Sequence, residues 1–286
     1  MKNIIFLIFL LMAVCGCENS NSETEVNRPE GKLYIIGGGK RPAAMVAEMI
    51  LLAQLNTNRH YAIVLPMASE EPDTSFFYFA KPFREQGLDK IYNFFSLDVT
   101  SFSPERLDSV RNANLIFITG GDQNRFMQIV QNTPLHAAII EAYQKGAVIG
   151  GTSAGAAVQS KKMITGNELK YPEYTGQYRT IEAENIEIAQ GLGLLETAIV
   201  DQHFIWRMRM NRLIAAAIEN PDELLIGIDE STAIIVEGDS ATVTGQSQVV
   251  VLHNKMGIKH NEKGLLGSAE MVMGVYLPGQ RFSLIP

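Results

Sequence analysis

Ser153 lies in Gly151-Thr-Ser-Ala-Gly155, between the apolar, β-favouring run 147–151 and the alanine-rich start of a helix. A serine in a tight strand-to-helix turn is held above the sheet edge. Small neighbours such as Gly151 and Gly155 permit the strained backbone and close packing that such an elbow needs. The next amide, that of Ala154, falls at a helix N-terminus, where unpaired N–H groups and the helix dipole stabilise an oxyanion. A glycine-rich βα turn with an incidental serine accounts for this pentapeptide equally well. The rest of the chain has to decide.

A nucleophilic serine needs a base, and the chain offers five histidines. His60 precedes a strand-like run in a polar turn, His136 starts a helical segment, and His260 lies in the charged stretch 259–263; none of these settings suits a base. His253 ends the run Val249-Val-Val-Leu252 and could act with Glu230 or Asp229 in the order serine, acid, histidine. His203 ends a second strand-like run, Ala198-Ile-Val-Asp-Gln-His, and is followed by Arg207, Arg209 and Arg212 in an otherwise acidic chain. On a regular helix Arg209 and Arg212 share a face while Arg207 points elsewhere, so all three converge only if Arg207 precedes the helix. Near a serine and a histidine, such planar forks suit carboxylate recognition; a solvated basic helix face is the plainer alternative.

The elements that must position these residues follow from patterning. At 286 residues, 46% hydrophobic and 19% charged, the chain can bury the core of one large α/β domain. A net charge of -7 excludes the basic face of a nucleic-acid binder, though not a local arginine cluster for an anionic substrate. Residues 32–39, 61–68, 90–97, 115–121 and 147–151 are apolar runs that read as buried parallel strands, and 232–236 reads as a further strand. Residues 43–55, 75–86, 104–111 and 135–145 carry helical spacing, with Pro104 and Pro134 near helix starts. This order predicts an α/β fold, a doubly wound and mostly parallel sheet with its site at the C-terminal strand ends. Gly37-Gly-Gly39 follows the first strand but has Pro42 where a dinucleotide fingerprint requires its third glycine, and no acidic residue closes a second strand; a tight turn near the active edge is expected instead. No cofactor and no metal are expected.

The N-terminus reads as an export signal, with Lys2 followed by the apolar run 4–14, too short to span a bilayer comfortably. Val14-Cys15-Gly16-Cys17 resembles a bacterial lipobox, in which a small residue precedes the lipidated cysteine; Gly16 before Cys17 fits. The expected organisation is a lipoprotein-type signal over 1–17, a polar tether over 18–30 and a catalytic domain over 31–286, exported and anchored to a membrane by lipid on Cys17.

Four blocks carry a resemblance: Gly150-Gly-Thr-Ser-Ala-Gly-Ala156, Thr119-Gly-Gly-Asp-Gln123, Asp201-Gln-His-Phe-x-x-Arg-x-Arg-x-x-Arg212 and Gly227-Ile-Asp-Glu230. Together they are similar to the signature blocks of the cyanophycinases, in the peptidase S51 family that also holds dipeptidase E. The resemblance covers most of the chain from about Gly31, and its arginine-spaced block is more specific than the serine elbow. It implies a class I glutamine amidotransferase-like fold and a catalytic triad of Ser153, His203 and Glu230, with Asp201 as the rival orienter of the histidine. It implies oxyanion donors at the amides of Ala154 and Gly121, and a substrate pocket of Gln123, Asp201, Gln202, Arg207, Arg209 and Arg212. The implied substrate is a β-aspartyl peptide or cyanophycin, cut by an exopeptidase that is commonly a homodimer in this family. An α-aspartyl dipeptidase of the dipeptidase E type is the alternative, although dipeptidase E lacks the arginine set; an inactive surface binder of acidic peptides is a third reading. The tyrosine-rich segment 161–184 matches no motif and is expected to form a lid, and the region after Leu252 to finish the sheet edge.

Overall fold

Alternate residues of the first strands enter different cores, and this dictates a layered architecture. In the computed structural model, which describes residues 29–100, 102–173 and 176–286, strand β1 (Lys32–Ile36) sends Leu33 and Ile35 to one face and Tyr34 and Ile36 to the other. Side chains alternate along a strand, so a strand that is apolar throughout needs cover on both faces. Helices α1 (Ala43–Leu52) and α2 (Pro72–Arg84), on either side of β2 (Ala62–Leu65), supply Met45, Met49, Phe79 and Phe83 to the Tyr34 face. After β3 (Ile91–Asn93), the other face is covered by α3 (Pro104–Arg111) and, after β4 (Leu115–Ile118), by α4 (Gln123–Val130) and α5 (Pro134–Gln144). The next strand, β5 (Val148–Thr152), returns beside β1 in parallel register. The expected doubly wound sheet is therefore present, with five parallel strands in the order β3-β2-β4-β5-β1.

Three outcomes depart from the expectation. Residues 90–97 provide only the three-residue β3, at an open edge where Tyr92 is exposed; an edge strand has one neighbour and ends early. Helix α4, unread in the sequence because its start is absorbed in the Thr119–Gln123 block, is capped by the Asp122 carboxylate, which accepts from the amides of Asn124 and Arg125. Segment 161–184, unread as strand in the sequence, begins as β6 (Lys162–Glu168), after the single turn α6 (Ala154–Ala157), and pairs antiparallel with β7 (Ile186–Gln190).

The second half of the chain builds a separate sheet. Strand β8 (Ala198–Gln202), helix α7 (Met210–Glu219) and β9 (Leu224–Ile228) form a parallel unit, and β10 (Thr232–Glu237) and β11 (Ser240–Gly245) then extend the main sheet antiparallel to β1. Beyond them β12 (Val249–His253) pairs with β9, β13 (His260–Glu262) with β14 (Leu265–Gly267), and β15 (Val272–Tyr276) with β12. The last strand, β16 (Arg281–Ser283), closes the main sheet beside β11. The region after Leu252 thus edges two sheets rather than one. Among the described residues no helix is long and apolar enough to cross a membrane. The signal over 1–17, its lipidation at Cys17 and most of the tether lie outside the described residues.

Candidate active site

The C-terminal ends of β1, β4, β5, β8 and β9 converge, and each delivers one part of the site. At the end of β5, Ser153 adopts φ 54° and ψ -112°, the strained elbow that lifts its hydroxyl off the sheet. The flanking glycines are required there: a Cβ on Gly151 would meet the Gly155 carbonyl oxygen at 2.0 Å, and one on Gly155 would meet that of Ile118 at 2.1 Å. Ala154, first residue of α6, has an amide with no intrahelical partner. Gly121, in the turn after β4, lines the same cleft.

At the end of β8, His203 is also in the left-handed region, with φ 49°, and its amide donates to the Gly37 carbonyl after β1 at 2.7 Å. This backbone kink turns the imidazole toward Ser153. Its Nε2 is 2.9 Å from Ser153 Oγ, and its Nδ1 is 2.6 Å from Glu230 Oε1. Glu230 follows β9, in a turn whose next amide, Ser231, donates to the Gly38 carbonyl at 2.9 Å. The three glycines after β1 leave the room in which imidazole and carboxylate meet. Burial pushes the His203 imidazole below its ordinary range, the Glu230 carboxylate opposes this through its hydrogen bond, and Arg207 and Arg209 push further down. A neutral imidazole bonded to a hydroxyl on one side and a carboxylate on the other can accept a proton and stabilise the cation that results.

The other candidates are placed elsewhere. His253, at the end of β12, bonds the Pro221 carbonyl at 3.1 Å, and Asp229 accepts from the Trp206 amide at 2.9 Å and from the Ser247 hydroxyl at 2.7 Å. Asp229 holds the chain after His203 in place and does not orient the ring.

The arginine block forms the wall beside the serine, in two tiers. Helix α7 begins only at Met210, so Arg207 and Arg209 lie in the preceding turn and converge with Arg212 on a cleft of about 310 Å³ that also holds Ser153, Gln123 and Gln202. Asp201 sits beneath the cleft instead of facing substrate. It is 1% exposed, accepts from Arg212 Nε at 2.7 Å and from Arg212 Nη2, and lies 3.6 Å from Arg209 Nη1. The third donor arm of Arg212 bonds the Tyr178 hydroxyl. Burial alone would lower the Arg212 pKa, but the Asp201 carboxylate outweighs this and raises it. A buried acid takes the nearest cation, which is why the pair is internal.

Arg209 donates from Nη1 to the backbone and side-chain oxygens of Gln202, at 2.6 and 2.9 Å, while its buried Nε has no partner among the described residues. Arg207 is exposed; its amide donates to the His203 carbonyl at 2.9 Å, and no hydrogen bond or ion pair joins its side chain to a described residue. Gln202 therefore holds Arg209, and its Oε1 is 3.5 Å from Ser153 Oγ. Gln123 donates to the carbonyls of Ile164, at 3.1 Å, and Thr165, tying α4 to β6. Asp122, Asn124, Thr165, Gly166 and Asn167 line the cleft too. Asp122 and Asn124 adjoin a block the sequence singled out, but nothing in the sequence of 165–167 marks them. Among the described residues no cluster of metal-ligating side chains occurs.

With this geometry in place, known proteins give context. The cyanophycinase of Trichormus variabilis is 37% identical over 188 residues, 64% of this chain and 59% of that protein. The cyanophycinase of Nostoc sp. is 36% identical over 187 residues, with the same two shares. The match thus spans less than two thirds of these relatives' length. A crystal structure of a peptidase from an acI-B1 Actinobacterium superposes with a TM-score of 0.62 at 24% identity, covering 88% of this chain and 96% of that one, a likeness of fold. The family model for Peptidase family S51 matches residues 33–244, which contain every block around the cleft. The chain belongs to peptidase family S51.

Proposed function

We propose that the chain is a serine exopeptidase that hydrolyses β-aspartyl peptides, the β-aspartyl-arginine units of cyanophycin or a related material, through Ser153, His203 and Glu230. The observation that carries this reading is the His203 imidazole spanning Ser153 Oγ at 2.9 Å and Glu230 Oε1 at 2.6 Å. Ser153 Oγ attacks the scissile carbonyl as its proton passes to His203 Nε2, and the oxyanion is received by the amides of Ala154 and Gly121. His203 then gives the proton to the leaving amine, and water repeats the sequence on the acyl-enzyme. Glu230 keeps the ring in the tautomer with the proton on Nδ1 and stabilises the imidazolium.

The bond choice comes from the arginines. Arg207 and Arg209 line a small cleft, where they receive the free α-carboxylate of an aspartyl residue. With Asp201 committed to Arg212, the Asp122 carboxylate at the cleft takes the α-amine. A residue held by both α-groups presents its side-chain carbonyl to Ser153, hence β-cleavage. The cyanophycinases at 35–37% identity support the same substrate class. Lys2, the apolar run 4–14 and Gly16 before Cys17 support export and lipid anchoring, which would direct the enzyme at external polymer or peptide.

The test is the protein from residue 31 onward incubated with β-Asp-Arg, α-Asp-Arg and insoluble arginyl-aspartate polymer. The expected result is release of arginine and aspartate from the β-linked dipeptide and of arginine from the polymer, with the α-linked dipeptide spared. Equal cleavage of the two linkages would transfer the assignment to an α-aspartyl dipeptidase. Binding without cleavage would transfer it to a receptor for acidic peptides.

A further inference from the structure

The cleft beside Ser153 does not end at the arginines. Asn124, Thr165 and Asn167 also border a second cavity of about 390 Å³ between α4 and the β6–β7 hairpin, so the two spaces adjoin. The charge reverses on passing from one to the other. Arg207, Arg209 and Arg212, against the single acid Asp122, line the first, whereas among the described residues Glu187 is the only ionisable one lining the second.

Glu187 is anchored. Its Oε2 accepts from Thr165 Oγ1 at 2.6 Å and from Asn167 Nδ2 at 2.8 Å, and these bonds, Thr165 first, lower its pKa and keep it ionised. Thr165 is fixed in turn, since its carbonyl accepts from Gln123, which lines the Ser153 cavity. Glu187 forms no ion pair with a described residue, and Oε1 accepts no hydrogen bond from one. A carboxylate held by neutral donors, with one oxygen left over at a groove, is preorganised for a cation supplied from outside. A single carboxylate is too few ligands for a metal ion, so an organic cation is the fitting occupant.

We propose that Glu187 is a specificity-determining residue that receives the cationic side chain of the leaving residue, so that the cleft reads a carboxylate at one end of the substrate and a cation at the other. This rests on the proposed reaction only in placing the scissile bond at Ser153; Thr165 and Asn167, which bond Glu187, line both the cavity that holds Ser153 and the one that holds Glu187. A guanidinium meets a carboxylate by a two-pronged contact and an ammonium by one, which ranks arginine above lysine and lysine above a neutral residue.

The experiment has a kinetic and a binding arm. In the first, kcat/KM is measured for β-Asp-Arg, β-Asp-Lys and β-Asp-Ala with the native enzyme, Glu187→Gln and Glu187→Asp. The native enzyme is expected to favour arginine over alanine by about 10-fold or more, as for a partly exposed charge-assisted pair. Glu187→Gln should remove that preference while leaving β-Asp-Ala unchanged, and Glu187→Asp should restore part of it. In the second arm, Ser153→Ala, alone and combined with Glu187→Gln, is titrated with β-Asp-Arg and its uncharged citrulline counterpart. Tighter binding of the arginine peptide, lost with Glu187→Gln, is expected whether or not the native enzyme cleaves the bond. Binding selectivity without cleavage would defeat the proposed reaction and keep the subsite. Equal use or equal binding of charged and neutral peptides, or a uniform loss for all of them in Glu187→Gln, would overturn the role of Glu187.

Discussion

Gly38 and His203 are packed so closely that a Cβ on the glycine would lie 2.2 Å from the imidazole Cε1 and 2.6 Å from each ring nitrogen. Gly38 also holds φ at +127°, a backbone setting that L side chains rarely adopt. Gly38 is therefore the surface against which the proposed base is seated. Gly38→Ala is expected to displace the ring and lower kcat/KM about 100-fold or more, since an ångström of misplacement costs that much. Steady-state kinetics beside a thermal melt check this, and an unchanged rate would mean that the ring does not work from this position.

Removal of the proposed nucleophile should be cleanly catalytic. Ser153→Ala and His203→Ala are each expected to lower kcat by about 10⁴-fold or more with a native circular dichroism spectrum, whereas His253→Ala stays near the native rate. A greater loss for His253→Ala than for His203→Ala would reverse the assignment of the base.

The pH profile carries a sign. His203 must be neutral to accept the proton from Ser153, and burial, reinforced by Arg207 and Arg209 and opposed by Glu230, sets it below the ordinary imidazole value of 6.5. The acid limb of kcat/KM is expected below pH 6.5. Arg207→Ala, which removes a neighbouring positive charge, should move the limb to higher pH, and Glu230→Gln should move it lower while depressing kcat. A limb that ignores both substitutions would argue that another group is titrating.

Stability should separate the two tiers of arginine. Arg212→Ala and Asp201→Ala each leave a buried charge without its partner and are expected to cost about 3–5 kcal/mol. Exposed Arg207→Ala should change stability by no more than about 0.5 kcal/mol yet lower kcat/KM about 30- to 1,000-fold if it binds the α-carboxylate. Urea unfolding beside kinetics tests both halves, and a large stability loss in Arg207→Ala would make it a structural residue instead.

The anchor is tested separately. Cys17→Ala is expected to move the protein out of the membrane fraction, and Cys15→Ala to leave it there, as read by fractionation and by incorporation of labelled fatty acid. Retention of both variants without label would indicate an uncleaved apolar segment.

The alternating pattern was legible wherever physics is local. Strands buried on both faces read as unbroken apolar runs, so β1, β2, β4 and β5 were evident from composition, as was the elbow at Ser153 with its glycines. The spacing of Arg207, Arg209 and Arg212 even required a helix that starts after Arg207, and α7 starts at Met210. Pairing across long stretches of chain was not legible. Patterning could not tell that Ala198–Gln202 belongs to a second sheet, nor that the Asp201 carboxylate turns down to Arg212 and away from the cleft. The serine, histidine and glutamate come from the ends of β5, β8 and β9, and residue types alone left His253 and Asp229 open beside His203 and Glu230. Only the packing of the two sheets brings one histidine within 2.9 Å of the serine and leaves the other on a backbone carbonyl. The link from Gln123 through Thr165 to Glu187 was equally hidden, because those residues are polar, scattered and without period, and they acquire a meaning only when α4 and the β6–β7 hairpin close on one groove.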